Sequence, residues 1–170
     1  SALGGIGMDV QVLNMNNWPI VKSEGDQIVL PTELVECQKQ FDKFYTRVTQ
    51  NRKLTWVYAV SNAMISLKFG KSKYDLQCST YQACIMLLFN GSTTLSFKNI
   101  KTALGLADED LAACIEPLCG IQAKYKLLTK DGEDGSVSFD DTFTWHEEFP
   151  KATKPAPPRR LQCPPTSGRA

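Results

Sequence analysis

The sequence holds a single histidine, His146, followed at once by Glu147 and Glu148. An imidazole beside carboxylates is the pairing used in general acid–base catalysis. Neighbours in a run of charged residues also describe a surface cluster, and that is the reading taken here. Six cysteines are present: Cys37, Cys78, Cys84, Cys114, Cys119 and Cys163. A structural zinc site wants four soft ligands at tight spacing, and no C-x-x-C pair occurs. Most of the cysteines fall in apolar helical patterns, where a thiol acts as a small hydrophobe. This usage fits a reduced, intracellular protein. Asp131, Glu133 and Asp134 lie among glycines and faintly suggest calcium, but the EF-hand spacing and its closing glutamate are missing. There is no G-x-S-x-G, Walker loop or H-E-x-x-H. Asn90-Gly91-Ser92 matches a glycosylation sequon, yet it is better explained as the end of the preceding helix. The residues therefore predict no catalysis, no cofactor and no metal.

Composition sets the frame. Of 170 residues, 42% are hydrophobic and 22% charged, as in a folded chain holding one domain or two small ones that share a core. The formal net charge of +1 gives no overall field toward nucleic acid or anionic lipid. The longest apolar run, Ala83 to Phe89, falls far short of a membrane span. The first residues, SALGGIGMDV, lack a signal-peptide layout and read as the cut end of a longer chain.

Apolar spacing predicts the elements. Asp9 to Leu13 alternates, with Val10 and Val12 on one face, and predicts a short strand. Gln27 to Leu30 can add a second extended piece. Pro31 opens a helix whose stripe is Leu34, Cys37, Phe41, Phe44, Tyr45 and Val48. Leu54 to Val60, Ala63 to Phe69 and Tyr74 to Cys78 predict three strands of an antiparallel meander. From Ser79 the period becomes helical, with Tyr81, Cys84, Ile85, Leu88 and Phe89 inward. Ser96 can cap a second helix ending at Gly105, and Asp108 a third, which Pro117 is expected to kink or stop early. Tyr125 to Thr129 and Ser136 to Phe139 flank DGEDG as a hairpin. The segment from Pro150 is rich in proline and basic residues and is expected to be disordered.

The fold class expected is α+β: a small antiparallel sheet with packed helices, then a winged-helix-like unit. The expected boundaries are residues 1–79, with the sheet and the helix over 31–50; residues 80–149; and the tail, 150–170. A winged-helix unit raises DNA binding as an alternative. Its third helix begins Asp108-Glu109-Asp110, carries Glu116, and has no Lys or Arg between Asp108 and Gly120. Phosphate contacts need cations, so this reading is disfavoured.

Several segments resemble the C-terminal homology region of the cullins, the scaffold subunits of RING-type ubiquitin ligases. Asp9-Val-Gln-Val-Leu13 before Trp18-Pro19 resembles the family's opening strand. Leu30-Pro31, Phe41 and Phe44-Tyr45 resemble its LP…F..FY helix, and Arg52-Lys-Leu-Thr-Trp56 with Tyr58 its strand motif. Leu76-Gln77, Ser79-Thr-Tyr-Gln82 and Leu87-Leu-Phe-Asn90 resemble the passage that follows. Leu95 to Leu106, Asp108 to Leu118 and Lys124-Tyr-Lys-Leu-Leu128 continue in order. Asp141-Thr-Phe-Thr-Trp-His-Glu-Glu-Phe149 is similar to the family's D.F.FN..F, with Trp145 and His146 as departures. The match covers residues 8 to 149, and the branch most similar is that of SCF-type ligases.

The resemblance implies a non-catalytic scaffold, cytoplasmic and nuclear, that binds a RING-box protein and through it a ubiquitin-conjugating enzyme, with neither nucleic acid nor membrane as partner. The family takes up a strand of the RING-box protein in its sheet. The platform expected here is Val10, Gln11, Val12, Leu13 and Leu54, Thr55, Trp56, Val57, Tyr58, with Trp56 and Tyr58 on one side at period two. The competing expectation for Trp56 is burial in the core. The family's upstream repeats and its downstream unit with the modified lysine are not in this sequence. The chain is thus expected to be a fragment, a truncated paralogue or a faulty gene model, and the tail, unlike any family segment, favours the last two; the scaffold role is the expectation, with an inactive truncated paralogue as its alternative. A truncated chain with an intact platform could also sequester the RING subunit.

Overall fold

The computed structural model describes residues 6–14, 28–69, 72–120, 126–132, 136–146 and 160–162. The first helix, α1, runs Thr32–Val48. Pro31 precedes it with φ −55, and its carbonyl accepts from Leu34 N at 3.0 Å and Val35 N at 3.1 Å. A proline at this point costs the helix nothing, since its missing N–H has no intrahelical acceptor. Glu33 in the first turn and Arg47 in the last both favour the helix dipole. The predicted apolar stripe is split. Cys37 is buried, Phe41 and Tyr45 are half-buried, and Phe44 and Val48 stay 60% and 65% exposed.

Two strands form the hairpin of the first sheet. β1 (Asn62–Phe69) and β2 (Ser72–Ser79) pair antiparallel from Asn62↔Ser79 to Phe69↔Ser72. Alternate residues of β1 turn inward, ending at buried Leu67 and Phe69. These are the second and third strands of the predicted meander. The first is not: among the described residues, Leu54 to Tyr58 belongs to no ladder. Its β-branched and aromatic residues report a half-buried surface, and here α1 supplies that surface. Val10 to Leu13 likewise lies outside any strand, with Val12 and Leu13 exposed. Ile28 is buried, and Val29 N donates to Leu104 O at 2.8 Å, so the predicted extended piece near Leu30 does meet the core.

Ser79 ends β2 and caps the next helix, α2 (Thr80–Leu88). Its Oγ accepts from Gln82 N at 3.2 Å while its own N donates to Gln82 Oε1 at 3.0 Å. This reciprocal box satisfies two donors where the chain changes from strand to helix. The short β3 (Thr94–Ser96) then leads into α3 (Phe97–Leu104), capped by Ser96 and closed by Gly105 at φ 69. Left-handed backbone of that kind is where glycine ends a helix without strain. α4 (Asp108–Leu118) differs from expectation at its start. Ala107 is the N-cap, without a side-chain bond, and Asp108 is the first helical residue. The first-turn cluster Asp108, Glu109 and Asp110 acts through the dipole instead. Pro117 lies inside the helix, one residue before its end, and the helix runs on to Leu118, so the proline does not stop it early.

The second sheet has the order β3-β5-β4, with β4 at Leu128–Asp131 and β5 at Thr142–Trp145. The predicted hairpin strands were 125–129 and 136–139, so the second is displaced. Asp141 is the cause. Its Oδ2 accepts from Ser138 N at 2.7 Å, and its own N donates to Ser138 O at 3.1 Å. That turn removes 138–141 from the ladder. Lys130 Nζ reaches Asp141 Oδ2 at 3.3 Å, with both side chains nearly buried, and so ties the turn to β4. Phe143, fully buried, is the aromatic the strand delivers; Phe139 stays 56% exposed, edge-on to Phe97.

A third strand, β6 (Arg160–Gln162), pairs in parallel with Asp75–Gln77 of β2, giving the first sheet the order β1-β2-β6. These residues were expected to be disordered; the remainder of 150–170 lies outside the described residues. One hydrophobic cluster runs through both expected units, from Leu67, Phe69 and Leu76 through Ile85, Ile100 and Ile115 to Leu128 and Phe143. Phe69 stacks on Trp145 with centroids 6.0 Å apart and rings 5° from parallel, joining the two sheets. The fold is thus α+β, with small sheets and packed helices.

Candidate strand-addition surface

The predicted site residues separate into two groups. Leu54 to Tyr58 are held against α1. Trp56 Nε1 donates to Asp42 Oδ1 at 3.1 Å, and Tyr58 Oη donates to Gln38 Oε1 at 2.8 Å. Trp56 also meets Phe41 edge-on with centroids 5.7 Å apart, and Phe41 stacks on Tyr45 at 6.1 Å. Alternate residues therefore reach the same helix, which is the side-chain alternation of a strand. Trp56 and Tyr58 do point the same way, as predicted, but toward α1. Trp56 is half-buried there, neither in the core nor free as a ridge.

The backbone of this segment is left open. Among the described residues, no main-chain hydrogen bond involves Leu54, Thr55, Trp56 or Val57. The chain then turns through Ser61. Ser61 N and Oγ both donate to Tyr58 O, at 3.0 and 2.7 Å. Ser61 O accepts from Thr80 N at 3.2 Å, which ties the turn to the start of α2. From this turn β1 departs, and β1 is an edge strand on the side away from β2. Among the described residues, the open backbone of Leu54–Val57 and the outer edge of β1 thus leave one anchored turn. Apolar side chains accompany them: Val60 is 69% and Met64 55% exposed. The second group, Val10 to Leu13, belongs to no ladder; Gln11, Val12 and Leu13 are exposed and Val10 half-buried.

Among the described residues, reactive groups are not gathered. Cys37, Cys78, Cys84, Cys114 and Cys119 are buried thiols. Burial pushes the Cys84 thiol up to about 11, and burial, partly opposed by Lys126 and Lys130, does the same at Cys119. Such thiols are poor nucleophiles and poor metal ligands at neutral pH. Among the described residues no group of three or more His, Cys, Asp or Glu could hold a metal ion. His146 is half-buried, and its main-chain N donates to Leu127 O at 3.0 Å; Glu147 and Glu148, and with them the predicted charge cluster, lie outside the described residues. No helix is long and apolar enough to cross a membrane, among the described residues.

Comparison with known proteins places this arrangement. The family model described as the cullin alpha+beta domain matches residues 12–149. The chain belongs to the cullin family. It is 40% identical to Cullin-1 of Oryza sativa subsp. japonica over 145 residues, 85% of this chain and 19% of that protein. It is 36% identical to Cullin-2 of Arabidopsis thaliana over 146 residues, 85% of the chain and 19% of the relative. Against Cullin-4A of Homo sapiens it is 31% identical over 147 residues, 86% of this chain and 19% of that protein. The chain therefore spans about a fifth of the length of the curated cullins it matches. Val12, Leu13 and Leu54 to Tyr58 fall inside the matched residues; Val10 and Gln11 precede them.

Sequence reasoning did not find β6 or the Lys130–Asp141 pair. The pair had a signal, an Asp just before an apolar strand after a glycine-rich loop. A parallel strand of three residues has none, because its partner lies far away in the sequence.

Proposed function

We propose that this chain is a scaffold module of a cullin–RING ubiquitin ligase. It would take up an extended strand of a RING-box protein and have no chemistry of its own. The observation that carries the reading is the open backbone of Leu54–Val57 beside the free edge of β1, both fixed by one turn. A partner strand there would pair exposed N–H and C=O groups and cover Val60 and Met64. The α1 anchors matter because they hold the segment in place before binding, which lowers the ordering cost. The contribution to ubiquitin transfer would be positional: the RING subunit, and the conjugating enzyme it recruits, would be held at a fixed place. The SCF-type branch and a cytoplasmic and nuclear location belong to the same proposal, on the sequence resemblance.

The order α2-β3-α3-α4-β4-β5 supports a winged-helix reading of the second unit. As a DNA reader it is poorly suited, since α4 carries Asp108, Glu109, Asp110 and Glu116 with no cation. An inactive member of the family would instead fold and capture no RING subunit.

Co-expression with a RING-box protein, followed by pull-down and gel filtration, tests the proposal. A one-to-one complex is expected, lost in Val57→Pro, which removes a ladder donor, and unaffected by Glu109→Gln on α4. Val12→Pro measures the part played by the amino-terminal segment. A folded monomer that captures nothing, or a complex indifferent to Val57→Pro, would defeat the strand-addition reading.

A further inference from the structure

The strand β6 docks on the edge of β2 that faces away from β1, with Asp75↔Arg160, Leu76↔Leu161 and Gln77↔Gln162 in parallel register. β2 is thereby the middle strand of its sheet. Leu76 and Cys78 are 2% and 3% exposed, and β1 pairs with β2 from Asn62↔Ser79 to Phe69↔Ser72, so β2 is also held from its other side. Without β6 its outer edge would present a row of unpaired main-chain donors and acceptors, which invites pairing with another chain. Every copy of the protein carries that same edge, and two copies can pair it about a twofold axis. A formal net charge of +1 offers little repulsion against such self-association.

The sequence around β6 limits how far it can extend. Pro157-Pro158 precede it and Pro164-Pro165 follow it. Proline lacks the ladder donor, so these pairs bracket the strand and stop it from growing into an edge of its own. The strand lies beyond residue 149, where the family match ends.

We propose that Arg160–Gln162 is a built-in edge cap. It closes the outer edge of β2 from within the chain and keeps a second copy from pairing there. It also leaves β1 and Leu54–Val57 as the open backbone. This inference does not depend on a RING-box partner.

The test compares the full chain with the Arg160→Pro/Leu161→Pro/Gln162→Pro variant, using residue-resolved amide exchange and analytical ultracentrifugation. Thr166→Pro/Ser167→Pro is the control outside the strand. Within Asp75–Gln77, the amides that face away from β1 should exchange at least about tenfold faster in the variant. Those bonded to β1 should keep their protection. The variant should self-associate with rising concentration while the full chain and the control stay monomeric. Unchanged exchange overturns the cap. So does lost protection in a variant that stays monomeric, or self-association of the control. Protection in the full chain that grows with protein concentration would mean docking between molecules, and would overturn it as well.

Discussion

Cys84 and Cys119 show how this fold treats reactive side chains. Both are buried, and burial raises each thiol from 9.0 to about 11. The sign of the linkage follows. Below pH 9 both states keep the proton, and nothing is lost. Between 9 and about 11 the unfolded chain releases protons that the folded chain retains. It therefore binds fewer, and stability falls as pH rises. Each thiol removes up to about 2 kcal/mol over that window. In urea titrations, the stability of Cys84→Ala/Cys119→Ala should be lower at neutral pH, because cavities are left. It should also decline less than the parent's between pH 9 and 11; parallel curves would refute the assignment. The sequence showed this fate in outline, since thiols at helical apolar positions without C-x-x-C spacing read as hydrophobes.

At the scale of elements, legibility depended on how local the determining physics is. The starts of α2 and α3 could be placed from sequence because Ser79 and Ser96 carry their own capping chemistry. The Ser79→Ala prediction belongs here. It leaves Gln82 N without its Oγ acceptor, and should cost about 1 kcal/mol in chemical denaturation. Ser79→Thr should recover most of that loss, since its hydroxyl can cap as well. A loss of several kcal/mol would instead mean that Ser79 does more than cap. Strands were harder to read. Leu54–Val60 has strand composition yet no ladder, because a half-buried aromatic surface can be built against a helix as readily as beside a strand. The second hairpin strand moved from 136–139 to 142–145 because one carboxylate, Asp141, closes a turn. The candidate surface was half legible for the same reason. Trp56 and Tyr58 alternate as predicted, but which neighbour receives them is decided by Asp42 and Gln38, distant in sequence.

At the scale of the molecule, the expected boundary between residues 79 and 80 meets a continuous core. Ser79 serves β2 and α2 at once, Ser61 O accepts from Thr80 N, and Phe69 of β1 stacks on Trp145 of β5. Sequence marks where the periodicity changes and allows a shared core, but not which apolar residues on either side meet. A cluster shared in this way should make the two parts unfold together. Trp56 reports on the α1 side and Trp145 on the second sheet. In a Trp18→Phe background, Trp145→Phe leaves Trp56 as the fluorophore, and Trp56→Phe leaves Trp145. Each variant's fluorescence should lose its native signal at the same urea concentration as its own far-ultraviolet circular dichroism. Comparison within a variant matters, because Trp56→Phe breaks the bond to Asp42 and Trp145→Phe alters the stack on Phe69, so midpoints will differ between variants. Fluorescence that precedes circular dichroism in the Trp56 reporter alone would mean that α1 and its segment open separately. The strand-addition surface would then form only when a partner binds. Coincidence in both would mean that the open backbone at Leu54–Val57 is presented by the same cooperative unit that buries Phe143, ready before any partner arrives.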